Sequence, residues 1–140
     1  MKILLIAVQL FLATTIFCQT NSNDLLGVWL NESGNGKVEF YQVGDQFFGK
    51  IIWINPKENP TENLTDLKNP NPKLRGRPVQ NMEVISHLTF EENEWVRGSA
   101  YSQERGEYFK CKNWLTSSRE LKVRGYVGWF YQTETWEKVF

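Results

Sequence analysis

The 140-residue sequence is poor in the side chains on which most metal and nucleophilic chemistry depends, with one His and two Cys. That leaves no zinc site of the usual nitrogen and sulfur ligands. Charge of one sign is also missing: 16 basic residues balance 16 acidic ones. A nucleic-acid binder that works by neutralising phosphates needs clustered Lys and Arg, so this balance argues against one. Proline is absent everywhere except between Pro56 and Pro78, and beyond Cys18 there is no long hydrophobic run. What the chain has instead is aromatic residues, 14% of the total, including six Trp.

The N-terminus reads as an address. Lys2 precedes an uncharged, largely apolar run from Ile3 to Phe17, followed by polar Gln19-Thr20-Asn21-Ser22-Asn23. A basic start, a short apolar stretch and a polar exit make a secretory signal peptide. The run is short of the roughly 20 residues a membrane span requires. We place cleavage between Cys18 and Gln19, giving a leader over residues 1–18 and a single domain over 19–140. In the competing layout Cys18 is a lipidated N-terminus, but Phe17 before it is larger than that processing favours. The mature chain keeps one cysteine, Cys111, so it forms no internal disulfide. Cys111 sits in a strand-like run and reads as a small buried hydrophobe rather than a nucleophile.

After Asp24 no window sustains a helical repeat, while β-rich runs recur between turn residues. Strands are expected over 25–30, 37–43, 46–54, 82–90, 94–101, 107–115, 121–127 and 131–139. Short connections rich in Gly, Asn and Asp supply the positive φ that hairpin turns demand. Eight consecutive antiparallel strands in so small an all-β domain imply an up-and-down barrel, which removes exposed edges. A barrel of eight is either filled by its own side chains or holds one small ligand.

One connection departs from this pattern. Residues 55–81 hold all five prolines, which stiffen the chain and withdraw amide donors. Leu64, Leu67, Leu74 and Val79 give the segment apolar anchors, so a packed lid is expected rather than a loose linker. Asp66, Asn69 and Asn71 offer oxygen ligands but match no calcium-loop spacing, and Asx turns beside proline are the simpler use.

Strand alternation assigns faces. Around the turn at 116–120, Leu115 should oppose Leu121, Asn113 should oppose Val123, and Cys111 should oppose Gly125. Phe109, Cys111, Leu115, Leu121, Val123 and Val127 then face inward, and Lys110, Lys112, Trp114, Lys122, Arg124 and Tyr126 outward. Carried across the next turn with Tyr101 opposite Glu107, the register points Trp95, Arg97, Ser99 and Tyr101 inward. A buried Arg needs a carboxylate from the protein or a ligand, which would make Arg97 and Tyr101 the polar end of a ligand site. A bulge or a four-residue turn gives the opposite result: Arg97 faces solvent, and Val96, Gly98 and Ala100 fill the interior.

No Gly-rich phosphate loop and no Gly-x-Ser-x-Gly elbow is present. His87 and Ser86 are neighbours on a strand and point to opposite faces, so they cannot share a triad, and His87 reads as an exposed residue. A glycosidase-type carboxylate pair has no sequence signature that would reveal its separation. No cofactor and no metal is expected, and the reading is non-enzymatic. Residues 95–124 carry seven basic side chains against three Glu. With Trp114 and Trp129 they form an alternative, outward-facing surface for a glycan or an envelope partner. Trp29, Trp53, Trp95 and Trp136 are expected in the core.

Gly27-x-Trp29 resembles the opening motif of lipocalin-like barrels. More extensive is the set Asp66-Leu-Lys-Asn69-Pro70, Leu74-Arg75-x-Arg77-Pro78, Trp95-x-x-Gly98, Gly106, Leu121-Lys-Val-x-Gly125-Tyr126 and Trp136. Together with the leader, these resemble the secreted bacterial family catalogued as domain of unknown function 2147, over essentially the whole mature chain. The resemblance implies a lipocalin-like (calycin-type) barrel in the cell envelope and no established reaction. It makes Gly27, Trp29 and Trp136 barrel-end residues. The sequence departs from the family pattern at Asn81, where glycine is expected, at Ser102-Gln103 before Gly106, and at Lys138 in place of Arg.

These readings converge on a secreted or periplasmic binder of a small, largely apolar or amphiphilic molecule, anionic if Arg97 faces inward. Phe40, Ile51 and Trp53 are expected as wall, and Arg97 and Tyr101 as polar end. Asp66, Asn69, Arg75 and Arg77 belong to a loop over the mouth, with internal pairing of the arginines to Asp66 as the alternative.

Overall fold

Alternation of apolar and polar residues, interrupted by Gly- and Asn-containing turns, produces eight antiparallel strands in the computed structural model, which describes residues 19–58 and 64–139. The expected leader and Cys18 lie outside the described residues. The strands are β1 (Gly27–Leu30), β2 (Gly36–Val43), β3 (Gln46–Ile54), β4 (Glu83–Glu91), β5 (Glu94–Ser102), β6 (Glu107–Ser117), β7 (Glu120–Val127) and β8 (Phe130–Lys138). Each pairs with its sequence neighbour, and β8 returns to β1 through Trp29 opposite Lys138 and Leu30 opposite Glu137, closing the barrel. The expected strand limits hold to within two residues, and β3 matches at both ends. Among the described residues no helix is long and apolar enough to cross a membrane.

The two ends of the barrel differ. A short 3-10 turn, Ser22–Leu25, plugs one end. There Leu25, Trp29, Leu88 and Trp95 are wholly buried, with Phe47 1% exposed. The indole of Trp29 donates to Leu25 O at 2.8 Å, and that of Trp95 to Ser22 O at 3.3 Å. Phe47 meets Trp95 edge-on, with ring centroids 6.4 Å apart. Burying each such side chain contributes about 1.5–3 kcal/mol, so this aromatic plug anchors the domain. Gly27 holds φ 123°, a backbone state that residues with a side chain rarely adopt, at the start of the strand that carries Trp29. Lys138, where the family pattern has Arg, keeps its ammonium 5.3 Å from the Trp29 ring centroid. The opposite end, formed by the β1–β2, β5–β6 and β7–β8 turns and the long β3–β4 connection, is open.

The β6–β7 hairpin has the expected register: Leu115 opposite Leu121, Asn113 opposite Val123, Cys111 opposite Gly125. Across β5–β6 the expected pairing is corrected by one residue. Ser102, not Tyr101, faces Glu107, and the turn holds four residues. That shift turns Gly98 and Ala100 toward the interior. A bulge between Trp95 and Gly98 then restores Trp95 to the inner face by placing one extra residue in β5. The extra residue is Arg97, at φ 56°, beside His87 at φ 58° in β4. Ser86 still pairs with Ser99 and Thr89 with Val96, so the two irregular residues lie in matching positions of adjacent strands. This arrangement lets Leu88 and Trp95 both reach the core while His87 and Arg97 project outward.

Candidate functional site

The open half of the barrel contains a cavity of about 570 Å³. Val38, Ile51, Ile85, Ala100, Phe109 and Val123 supply much of its wall, from six strands. Trp136 also lines it, and packs against buried Phe40 at 6.2 Å between ring centroids. Ile51 therefore takes the expected wall position, whereas Phe40 belongs to the packed core. Trp53 is corrected. A register shift between Lys37 and Val38 puts Trp53 opposite Lys37, whose ammonium lies 4.7 Å from its ring, and Trp53 is absent from the lining.

Arg97 is not an interior residue. Its side chain is 61% exposed, and its guanidinium forms a two-pronged pair with Glu91, at 2.6 and 2.5 Å. Glu91 holds the Arg97 pKa up, and Arg97 holds that of Glu91 down. The geometric premise for Arg97 as a head-group anchor is gone, because the bulge gives the strand one residue more than alternation allows.

Tyr101 stands across from Tyr108, at the rim of the cavity, and is buried beneath the long loop. Its hydroxyl donates to Asp66 Oδ1 at 2.6 Å. Asp66 Oδ2 accepts from Asn69 Nδ2 at 2.7 Å and from Arg77 Nε at 2.9 Å. Arg75 Nε donates to the Asn69 carbonyl at 2.8 Å. Asp66, Asn69, Arg75, Arg77 and Tyr101 thus form one internal network: Arg77 pairs with Asp66 as the alternative had it, while Arg75 is held by a main-chain carbonyl and not by Asp66. Burial pushes the Asp66 carboxyl upward, but the three hydrogen bonds and the Arg77 charge outweigh it and hold it below the usual range. Burial and the bond to Asp66 push Tyr101 up to about 12. Asn69 Oδ1 accepts from Asn71 N, and Asn71 Oδ1 from Lys73 N, which is Asx-turn chemistry.

The loop itself is built around an isolated bridge between Thr65 and Pro78. It docks on the β5–β6 turn, where Lys68 Nζ donates to Glu104 O at 2.7 Å. Val79 is buried and Leu64 packs near it, but Leu67 is 72% exposed and anchors nothing. Among the described loop residues, Val79 is the one that lines the cavity, so the loop flanks the mouth more than it covers it. Asn81 adopts φ 63°, the conformation for which the family pattern uses glycine.

Glu134 is the site residue that the sequence reading missed. It lies opposite Val123, on the inner face of β8, and lines the cavity. Its Oε2 accepts from Trp136 Nε1 at 2.7 Å. The signal was available: counting back two from the inward Trp136 puts Glu134 and then Gln132 on the same face. Deeper inside, Asn113 is fully buried, and its amide atoms have no hydrogen-bond partner among the described residues.

On the outside, Trp114 lies between two cations, Lys112 at 5.3 Å and Arg124 at 4.8 Å. Trp129 is 92% exposed at the β7–β8 turn. No group of three or more His, Cys, Asp or Glu among the described residues is placed to hold a metal ion.

A protein of the same fold is the Helicobacter pylori protein HP1028, described as belonging to the lipocalin family. Its structure superposes with a TM-score of 0.74 over 83% of each chain at 22% identity. A search of curated protein sequences finds no match. Residues 27–138, from the first residue of β1 to the last of β8, match the family described as an uncharacterized protein conserved in bacteria (DUF2147). The chain belongs to that DUF2147 family, and its fold is that of a lipocalin-like barrel.

Proposed function

We propose that this protein binds a small, largely apolar molecule inside its barrel and acts outside the cytoplasm once the leader over residues 1–18 has been removed. The observation that carries this reading is the cavity of about 570 Å³ above the aromatic plug. Its size lies within the range of small-molecule sites, about 300–1,000 Å³. A barrel meant only as a scaffold would fill this volume with side chains, as the plugged half does. Gly125 and Ala100, both on the lining, leave it open. Binding rather than catalysis is proposed because the polar groups near the mouth, Asp66 and Tyr101 among them, are committed to one another.

Native mass spectrometry of the protein expressed with its own leader tests both parts. The expected result is a chain beginning at Gln19 that carries a discrete non-covalent adduct. A chain that keeps its leader, or one that remains bare after exposure to apolar ligands, would overturn the corresponding part.

A second reading has its own support. Trp129 and its neighbours Phe130, 71% exposed, and Tyr131, 60% exposed, form an apolar tip at the β7–β8 turn. Exposed aromatic groups of this kind mark interaction sites. On that reading Trp129→Ala abolishes binding to an envelope glycan or partner, while changes inside the barrel do not.

A further inference from the structure

Glu134 is a carboxylate on the lining of a largely apolar cavity, and among the described residues no cation pairs with it. The nearest cations in sequence register are Lys122 and Arg124 on β7, and both are engaged on the outer face. Lys122 Nζ donates to Thr135 Oγ1 at 2.6 Å and Arg124 Nε to Thr133 Oγ1 at 2.8 Å. Those two threonines flank Glu134 and point away from it, as alternation requires. At the mouth, the lining includes Glu104 and Arg105, and Arg105 is held by Glu107 at 3.1 Å. The charge that faces the cavity is therefore negative.

The carboxylate is also oriented. Trp136 Nε1 holds Oε2, while Oε1 has no hydrogen-bond partner among the described residues. An apolar ligand that fills the cavity strips water from this oxygen. That is costly unless the ligand brings a hydrogen-bond donor, and least costly if the donor is positively charged. An anionic head group would meet repulsion instead.

We infer that Glu134 is the polar anchor of the cavity and that it selects an apolar chain or ring bearing a protonated amine. The inference rests on the carrier reading and deepens it, because it names the chemistry of the ligand. It also reverses the anionic preference that an inward Arg97 would have conferred.

The test is isothermal titration calorimetry with three ligands that share one chain: octylamine, 1-octanol and octanoate. On the unmutated protein, octylamine should bind at least about tenfold more tightly than octanoate, the scale of one charge-assisted hydrogen bond. Glu134→Gln keeps an acceptor for the Trp136 indole and removes the charge. It should bring the two affinities within about threefold of each other and leave octanol unchanged. A purely structural Glu134 would leave the amine-to-acid ratio unmoved by that substitution. Equal binding of all three ligands by the unmutated protein would overturn the anchor role and leave the carrier reading standing. Binding of none would overturn both. The comparison on the unmutated chain decides the matter even if the variant folds poorly.

Discussion

Tyr101 of β5 donates its hydroxyl to Asp66 of the long loop at 2.6 Å, and both residues are buried. This bond ties the loop to the barrel through a carboxylate that has three donors in all. Tyr101→Phe removes one of them and leaves the buried charge short of a partner. The expected loss is about 1.5–3 kcal/mol of stability, measured by urea denaturation against the unmutated protein.

The same carboxylate makes a pH prediction with a definite sign. Asp66 is held below its ordinary value of 3.8 in the folded protein, so the folded chain binds that proton less readily than the unfolded one. The stability it contributes is present above 3.8 and is lost as the pH falls through that value toward the folded pKa. The stability gap between the unmutated protein and Asp66→Asn should therefore be widest near neutrality and close under acid. A gap that stays constant to low pH would show that Asp66 is not the titrating group.

Gly106 lies at φ 65°, with the Lys68 carbonyl pressed against the place where a Cβ would stand. Gly106→Ala meets both a strained backbone and a clash with main-chain atoms, which cannot simply rotate away. The loop should lift, exposing the bonds after Lys68, Lys73 and Arg75 to trypsin. Limited proteolysis should show faster cleavage there, with a loss of about 1–3 kcal/mol in stability.

Cys111 is buried between the facing glycines Gly98 and Gly125, and burial raises its thiol to about 12 from an ordinary 9.0. At pH 8 a thiol reagent should leave the folded protein unlabelled and react fully only after denaturation. Because the folded value is raised, the associated stability is complete below 9 and declines as the pH rises from 9 toward 12. Rapid labelling of the native protein would contradict the inward assignment of β6.

Arg97 projects from its bulge to pair with Glu91 in solvent. Arg97→Ala should leave the affinity for any barrel ligand within about twofold of the unmutated protein, since an exposed pair contributes little. Arg97→Gly should fold normally, because glycine accepts the positive φ more readily than arginine does. A large loss of affinity in either variant would reinstate Arg97 in the site.

The barrel itself was legible in the residues. Alternating apolar positions, with turn residues at every hairpin, placed all eight strands and the β6–β7 register, because side-chain direction in a regular strand depends on parity alone. Trp29 and Trp136 were legible as core residues from their strand runs, but Trp95 reached the inner face only through the bulge in β5. The candidate ligand residues were less accessible. Asp66, Asn69, Arg75 and Arg77 stood out by type and spacing. Whether they would face a ligand or one another depended on where a long, proline-stiffened loop came to rest.

The sequence by itself determined the strand order, the closed sheet and the polarity of each regular stretch, since these follow from local periodicity and the need to bury one face. The tertiary structure decided everything that hangs on a single extra residue. The left-handed residues His87 and Arg97 let two neighbouring strands gain a residue together, so that Leu88 and Trp95 could fill the core. No local pattern announces such a bulge, because its benefit lies in contacts between distant segments. That one residue sent Arg97 outward, and the cavity's charge is left to Glu134.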